Sequence, residues 1–140
     1  MTARRGPIVI DTDVFSADLS DTALIAAYEP IIVGRPAFLS FQTVAELRFG
    51  ALRRNWGTQR VRKLDAKIAA AEVVHSGDEL VAVYAQLRAD CVRLGHALGQ
   101  RDHDADRWIA ATALRLGVSL VSNDRIFEGT PALQLESAHG

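Results

Sequence analysis

The feature that most constrains this chain is a pair of short apolar runs, each closed by an acid. Pro7-Ile8-Val9-Ile10, preceded by Gly6, ends at Asp11, and Val118 to Ser122 leads through Asn123 to Asp124. Consecutive apolar and β-branched residues without alternation read as strands buried on both faces, the pattern of a parallel sheet covered by helices. An acid directly behind such a strand must be solvated, paired or bound to metal, because an isolated charge is too costly to bury. The two runs therefore bear on fold and chemistry together.

Between them the spacing predicts helices alternating with further short strands. A helix is expected from residue 21 to about 33 with Leu24, Ile25 and Tyr28 inward, and Pro30 threatens to break it. Residues 37–41 read as a strand running into a helix that begins near Ser40 or Phe41 and carries Val44, Leu47, Ala51 and Leu52 on one side. Gly57 divides this from a helix over 58–71, and 72–75 is a brief strand. Gly77-Asp78 opens a long helix ending near Gly95 and Gly99, with Leu80, Tyr84, Leu87, Cys91 and Leu94 as its stripe. Asp104 or Asp106 begins the next, with Ile109, Thr112, Ala113 and Leu116 on one face and Gly117 as its stop. Residues 132–135 are expected as a final edge strand. The alternation predicts an α/β domain with a mostly parallel sheet. With no repeat, low-complexity tract or linker in 140 residues, one domain over 1–140 is expected.

Composition excludes several classes. Apolar residues make up 49% and charged residues 24%, enough to bury a core and too apolar for a disordered chain. The net charge of -1 by itself predicts neither a nucleic-acid nor a membrane partner. Cys91 is the single cysteine, which excludes an intramolecular disulfide and a cysteine zinc site and reads as a small buried apolar residue. No apolar run approaches the roughly eighteen residues of a membrane span. Arg4 and Arg5 precede only a short apolar run that Asp11 ends, so no signal peptide is read and a cytoplasmic protein is expected.

Four acids interrupt apolar surroundings. Asp11 and Asp124 stand at the carboxyl ends of two strands, where open parallel sheets place their ligand crevice. Asp106 lies in the first turn of a helix, which favours negative charge, and Glu46 about one turn inside another. Each has a plainer reading: a helix cap for Asp106 and Asp104, a turn for Asp124, a solvated surface acid for Glu46. Gathered at one sheet edge, four like charges would raise each other's pKa unless a cation neutralised them. Hard oxygen donors with few nearby Lys or His suit Mg²⁺ or Mn²⁺ rather than Zn²⁺.

These acids fall within four segments: Ile8-Val9-Ile10-Asp11-Thr12-Asp13-Val14-Phe15, Thr43-Val44-Ala45-Glu46-Leu47-Arg48-Phe49-Gly50, Asp106-Arg107-Trp108-Ile109-Ala110-Ala111-Thr112-Ala113, and Leu120-Val121-Ser122-Asn123-Asp124 with Phe127. In order, spacing and total length they resemble the PIN-domain nucleases, and within them the VapC-type toxins of bacterial toxin–antitoxin pairs. The resemblance implies a PIN-like three-layer α/β/α fold, a homodimer, and Asp11, Glu46, Asp106 and Asp124 as the acidic quartet that binds metal. Thr12 and Ser122 would orient carboxylates or water through their hydroxyls. Asp104 would either serve a second metal or cap a helix, and Asp13 stands where relatives often carry Asn or Ser. The implied activity is Mg²⁺-dependent endoribonuclease cleavage, with Mn²⁺ as a substitute, that inhibits translation and growth until a small VapB-type antitoxin blocks it.

RNA near an acidic pocket needs cations around it. Arg48, Arg53, Arg54, Arg60, Arg62, Lys63 and Lys67 follow Glu46, opposed only by Asp65, with Trp56 interleaved. Arg48, Arg53, Arg54 and Trp56 are the candidate RNA contacts, set against an ordinary solvated helix surface. Trp108 is expected in the core or groove wall. His75, His96, His103 and His139 lack metal-binding spacing; His103, beside Asp102 and Asp104, is read as a surface residue ahead of the alternative that it supports the site. Three competing readings are a housekeeping PIN ribonuclease without antitoxin, a haloacid-dehalogenase-like phosphatase, and a non-catalytic RNA-binding or partner-binding module, against which the acidic quartet argues. The phosphatase would use Asp11 as nucleophile and Asp13 as acid/base. There Phe15 stands where Thr or Val is wanted, and only Lys63 or Lys67 could supply the lysine.

Overall fold

The computed structural model describes residues 6–139, so Arg4 and Arg5 lie outside the described residues. Its elements run β1 (Ile8–Ile10), α1 (Thr12–Phe15), α2 (Ala17–Ser20), α3 (Thr22–Ile32), β2 (Ala37–Ser40) and α4 (Phe41–Arg53). Then follow α5 (Thr58–Ala70), β3 (Glu72–Val74), α6 (Asp78–Leu94), α7 (Asp104–Leu116), β4 (Ser119–Val121) and β5 (Leu135–Glu136). The five strands form one sheet in the order β3-β2-β1-β4-β5. Every pairing is parallel, with Ile8 against Ala37 on one side of β1 and against Ser119 on the other. The chain winds outward from β1 to β3, then returns across β1 to lay down β4 and β5. That reversal makes the carboxyl ends of β1 and β4 the switch point where such sheets form a crevice.

The pleat explains why the two apolar runs lack alternation. Ile8, Ile10 and Val121 point into a core shared with Tyr28, Leu39, Leu47, Leu64 and Ile68. Val9 and Leu120 point the other way, into a core shared with Leu80, Leu87, Cys91, Leu98 and Ile109. Side chains of successive strand residues face opposite sides, so both strands bury both faces and the molecule has three layers. Cys91 is fully buried. Among the described residues no helix is long and apolar enough to cross a membrane.

The predicted boundaries hold where a cap fixes them. Asp21 accepts from Leu24 N at the start of α3, and Ser40 accepts from Gln42 N at the start of α4. Gly117 ends α7 at φ 68, a left-handed position that a side chain disfavours. Four expectations change. Pro30 lies inside α3 without ending it, and the helix runs two residues further to Ile32. Leu52, one residue past Ala51, rotates out of the core and is 77% exposed, and Leu94, in the last turn before Gly95, is 62% exposed. The last strand starts at Leu135, because Ala132 adopts φ 63, which no strand permits.

A 3₁₀ turn at Ala97–Gly99 lies against α6 so closely that a Cβ on Gly99 would sit 2.8 Å from the backbone nitrogen of Val92. Gly99→Ala is therefore expected to cost about 1–3 kcal/mol, read as a lower thermal-unfolding midpoint. An unchanged midpoint would mean that this turn can move off α6.

Candidate active site

Asp11 is fixed before its side chain makes any contact, because its amide donates to Val121 O at 2.9 Å and extends the β1–β4 ladder by one step. As N-cap of α1 it accepts from Thr12 N at 2.8 Å through Oδ1, and Ser122 Oγ donates to its Oδ2 at 2.6 Å. Asp11 is only 7% exposed. Burial pushes its carboxyl up to about 7, the bonds from Ser122 and Thr12 pull it back in part, and the charges of Asp13 and Asp106 raise it again. Here desolvation dominates and like charge adds to it.

Ser122 serves two acids, since its Oγ also accepts from Asp124 N at 3.0 Å. Asp124 Oδ1 in turn accepts from Ile126 N at 3.0 Å and caps the 3₁₀ turn Arg125–Phe127. Across the groove Thr12 Oγ1 donates to Glu46 Oε1 at 2.6 Å, which ties α1 to α4. Burial raises the Glu46 carboxyl above its ordinary value, Thr12 offsets part of this, and Asp106 and Asp13 add to it. Asp106, in the first turn of α7, lies 3.1 Å from His103 Nδ1. Burial raises it too, against the pull of His103 and with the charge of Asp124 adding to the rise. Asp13 and Asp106 are thus the charges felt by Asp11 and Glu46, and Asp106 feels Asp124 in turn.

The four sequence-predicted acids therefore share one electrostatic neighbourhood, together with Asp13. Among the described residues, however, no three His, Cys, Asp or Glu side chains are gathered closely enough to cage an ion. The expected closing of all four carboxylates on one ion is therefore not seen here; Mg²⁺ commonly takes one or two carboxylates and completes its shell with water and substrate phosphates. The donor set is all carboxylate, and among the described residues no Lys or Arg forms an ion pair with Asp11, Glu46 or Asp124. These residues fit a hard divalent cation.

Other candidates separate from this group. Asp104 is exposed, accepts a hydrogen bond from the Tyr84 hydroxyl and pairs with Arg107 at 3.4 Å. This favours a structural role over service to a metal. Arg107, which the sequence did not single out, is 1% exposed and donates to the carbonyls of Leu98 and Gln100. It thereby holds the loop that carries His103. His103 is no plain surface histidine: it lies against Asp106, as the alternative of a supporting role has it, and its place three residues before that acid is the signal. Trp108 stacks on Tyr84 with centroids 4.1 Å apart and meets Phe41 edge-on, as expected for a wall residue.

The basic stretch divides likewise. Arg53, Arg54 and Trp56 line a groove of about 240 Å³ with Thr12, Asp13, Ser16 and Glu46. Arg48 does not line it, being paired instead with Asp65 on α5. Arg60 lies 4.5 Å over the Trp56 ring, so one face of that indole is already taken. Lys67 pairs with Asp18 at 3.2 Å and lies over Phe15, and Lys63 is exposed on α5. Neither supplies the lysine that a phosphatase of the aspartyl-nucleophile type would need.

Among solved structures, the chain is similar to VapBC2 from Rickettsia felis bound to a promoter DNA fragment, with 22% identity, TM-score 0.77, and 94% of this chain and 98% of that chain covered. It is similar to FitAcB from Neisseria gonorrhoeae at 23% identity and TM-score 0.75, covering 94% and 97%. It also resembles VapBC-5 of Mycobacterium tuberculosis, a toxin–antitoxin family member, at 27% identity and TM-score 0.68, covering 94% and 98%. Comparison with curated proteins by sequence found no match. The PIN domain family model matches residues 8–133, which include all four acids and most of the sheet. The chain belongs to the PIN domain family of nucleases.

Proposed function

We propose that this nuclease is a Mg²⁺-dependent endoribonuclease acting as the toxin of a VapBC-type toxin–antitoxin pair, with RNA cleavage halting translation and growth. The observation that carries the catalytic part is Asp11, a buried carboxylate whose pKa of about 7 is raised by burial and by neighbouring acids. Such a group is costly to the fold, and a bound cation would remove that charge penalty. Asp11, Asp106 and Asp124 are the residues that would hold the cation, with Glu46 held by Thr12 to bind it or orient water. When bound, Mg²⁺ supplies acidification of water and stabilisation of charge on the phosphate. Ser122 and Thr12 keep the carboxylates of Asp11 and Glu46 in fixed orientations, and Arg53 and Arg54 hold the RNA backbone beside them.

The toxin role rests on similarity to toxin–antitoxin complexes, among them one at 27% identity. A small VapB-type antitoxin is the proposed protein partner, its tail covering the acidic groove with an Arg or Lys among the carboxylates. A homodimer, a single domain and a cytoplasmic location belong to the same proposal. Induced expression is expected to arrest growth and Asp11→Ala to abolish that arrest. Sequencing of RNA 5′ ends would locate the cuts, and an equally toxic Asp11→Ala protein would sink the mechanism. Thr12→Val, which frees Glu46, is expected to lower the cleavage rate by roughly 10–100-fold, measured on a single-stranded RNA with Mg²⁺.

The raised Asp11 pKa also has a signature in stability. Between the ordinary value of 3.8 and the folded value of about 7 the native state keeps a proton that the unfolded chain has released. Stability from this group is therefore present at low pH and lost as pH rises through about 7. In chelator, Asp11→Asn is expected to unfold at a higher temperature than wild type above about pH 7, the gap closing as pH falls towards about 4. Parallel pH profiles for the two proteins would refute the buried-charge account.

A further inference from the structure

Tyr28 is the one large polar side chain of α3 in the core, and its ring is completely buried. Its hydroxyl reaches three groups at once: Asn123 Oδ1 at 2.9 Å, Ser122 O at 3.2 Å and Ser137 Oγ at 3.2 Å. Beyond Ser137, the amide of His139 donates to Ser137 Oγ at 3.0 Å, and His139 Nε2 lies 2.8 Å from Asn123 O. A carbonyl only accepts, so Nε2 carries the proton. The contacts close a ring: Tyr28 to Asn123, Asn123 to His139, His139 to Ser137, Ser137 to Tyr28. The proton count is consistent, with Ser137 donating to the tyrosine oxygen while the tyrosine donates to Asn123.

The ring encloses the segment that Asp11 depends on. Ser122 holds Asp11 from one side, and its own amide donates to Glu136 O at 3.2 Å. Glu136 in turn is clamped by both terminal nitrogens of Arg35, at 2.9 and 3.0 Å, in a pair that is 5% exposed on each side. The residues after β5 thus hang from a buried anchor and grip the loop at 122–124 from behind. We infer that Tyr28 and His139, acting through Asn123 and Ser137, are positioning residues of the carboxylate edge. Neither touches the reacting atoms in this arrangement; they set where Ser122 Oγ and Asp124 stand. The inference rests on reading that edge as the nuclease centre.

The test uses Tyr28→Phe, His139→Ala and His139→Gln in the full chain, the glutamine being able to restore a donor near the Nε2 position. Two readouts are taken: amide hydrogen exchange at Asp124, whose N–H is held by Ser122 Oγ, and kcat and KM on a single-stranded RNA with Mg²⁺. Tyr28→Phe and His139→Ala are expected to speed exchange at Asp124 roughly 5–10-fold with β1 amides unchanged. They should lower kcat without changing KM, while His139→Gln lies near wild type in both. Wild-type exchange and kcat in both disruptive variants would overturn the inference. So would faster exchange with unchanged kcat, which reduces the ring to architecture. Should the wild-type protein cleave no RNA, the nuclease reading falls by itself, and exchange at Asp124 still decides whether the ring holds the loop.

Discussion

The 2.6 Å hydrogen bond from Ser122 to Asp11 joins two stretches of chain separated by more than a hundred residues, and the rest of the site follows from it. An ionised carboxylate behind a doubly buried strand loses most of its hydration, a cost that burial among apolar residues cannot return. The fold reduces this cost with two neutral donors, Ser122 Oγ and Thr12 N, and adds to it with the charges of Asp13 and Asp106. Cancelling the charge with a basic side chain would have been the simpler route to stability. Among the described residues no Lys or Arg pairs with Asp11, which fits a centre in which stability is given up for function.

Much of this was legible in the sequence because it is local. An apolar run ended by an acid names both a strand and the end where an open parallel sheet forms its crevice, which is how Asp11 and Asp124 stood out. Thr12 and Ser122 came from resemblance rather than from spacing. Their partners, Glu46 and Asp11, are 34 and 111 residues away, distances at which no periodicity speaks. Arg107 was hidden for a different reason, since an arginine in a helix reads as surface unless the carbonyls waiting for it are known. Leu52 and Leu94 misled in the opposite direction, as helical spacing gives a stripe but not where the sheet beneath it ends. The late start of β5 turned on Ala132, whose φ of 63 no residue preference foretells.

Charge counting along the chain overstated the basic rim. Seven cations cluster between Arg48 and Lys67, yet Arg48, Arg60 and Lys67 are engaged with Asp65, the Leu19 carbonyl and Asp18. Exposed pairs of this kind contribute little stability, but they withdraw side chains from the groove. Arg53 and Arg54 remain at its wall beside Glu46. Whether a cation meets phosphate is decided by the helix face it occupies, and sequence gives that face only once the helix's neighbours are known.

The four acids show one logic when taken with their partners. Asp11 is held by a serine hydroxyl, Glu46 by a threonine hydroxyl, Asp106 by an imidazole and Asp124 by a backbone amide. Each partner fixes an orientation, and among the described residues none is a Lys or Arg ion pair. At Asp11, Glu46 and Asp124 orientation and neutralisation are thereby separated: the protein supplies the first and leaves the second open. A site built from salt bridges would be rigid but already satisfied, and a divalent ion would have to displace its cations. Here the strand order does the gathering, by returning β4 to the side of β1, hydroxyl and amide donors hold Asp11, Glu46 and Asp124 in place, and Asp106 has the imidazole of His103 and the charge of Arg107 beside it. The residual repulsion among them is what a hard cation would relieve.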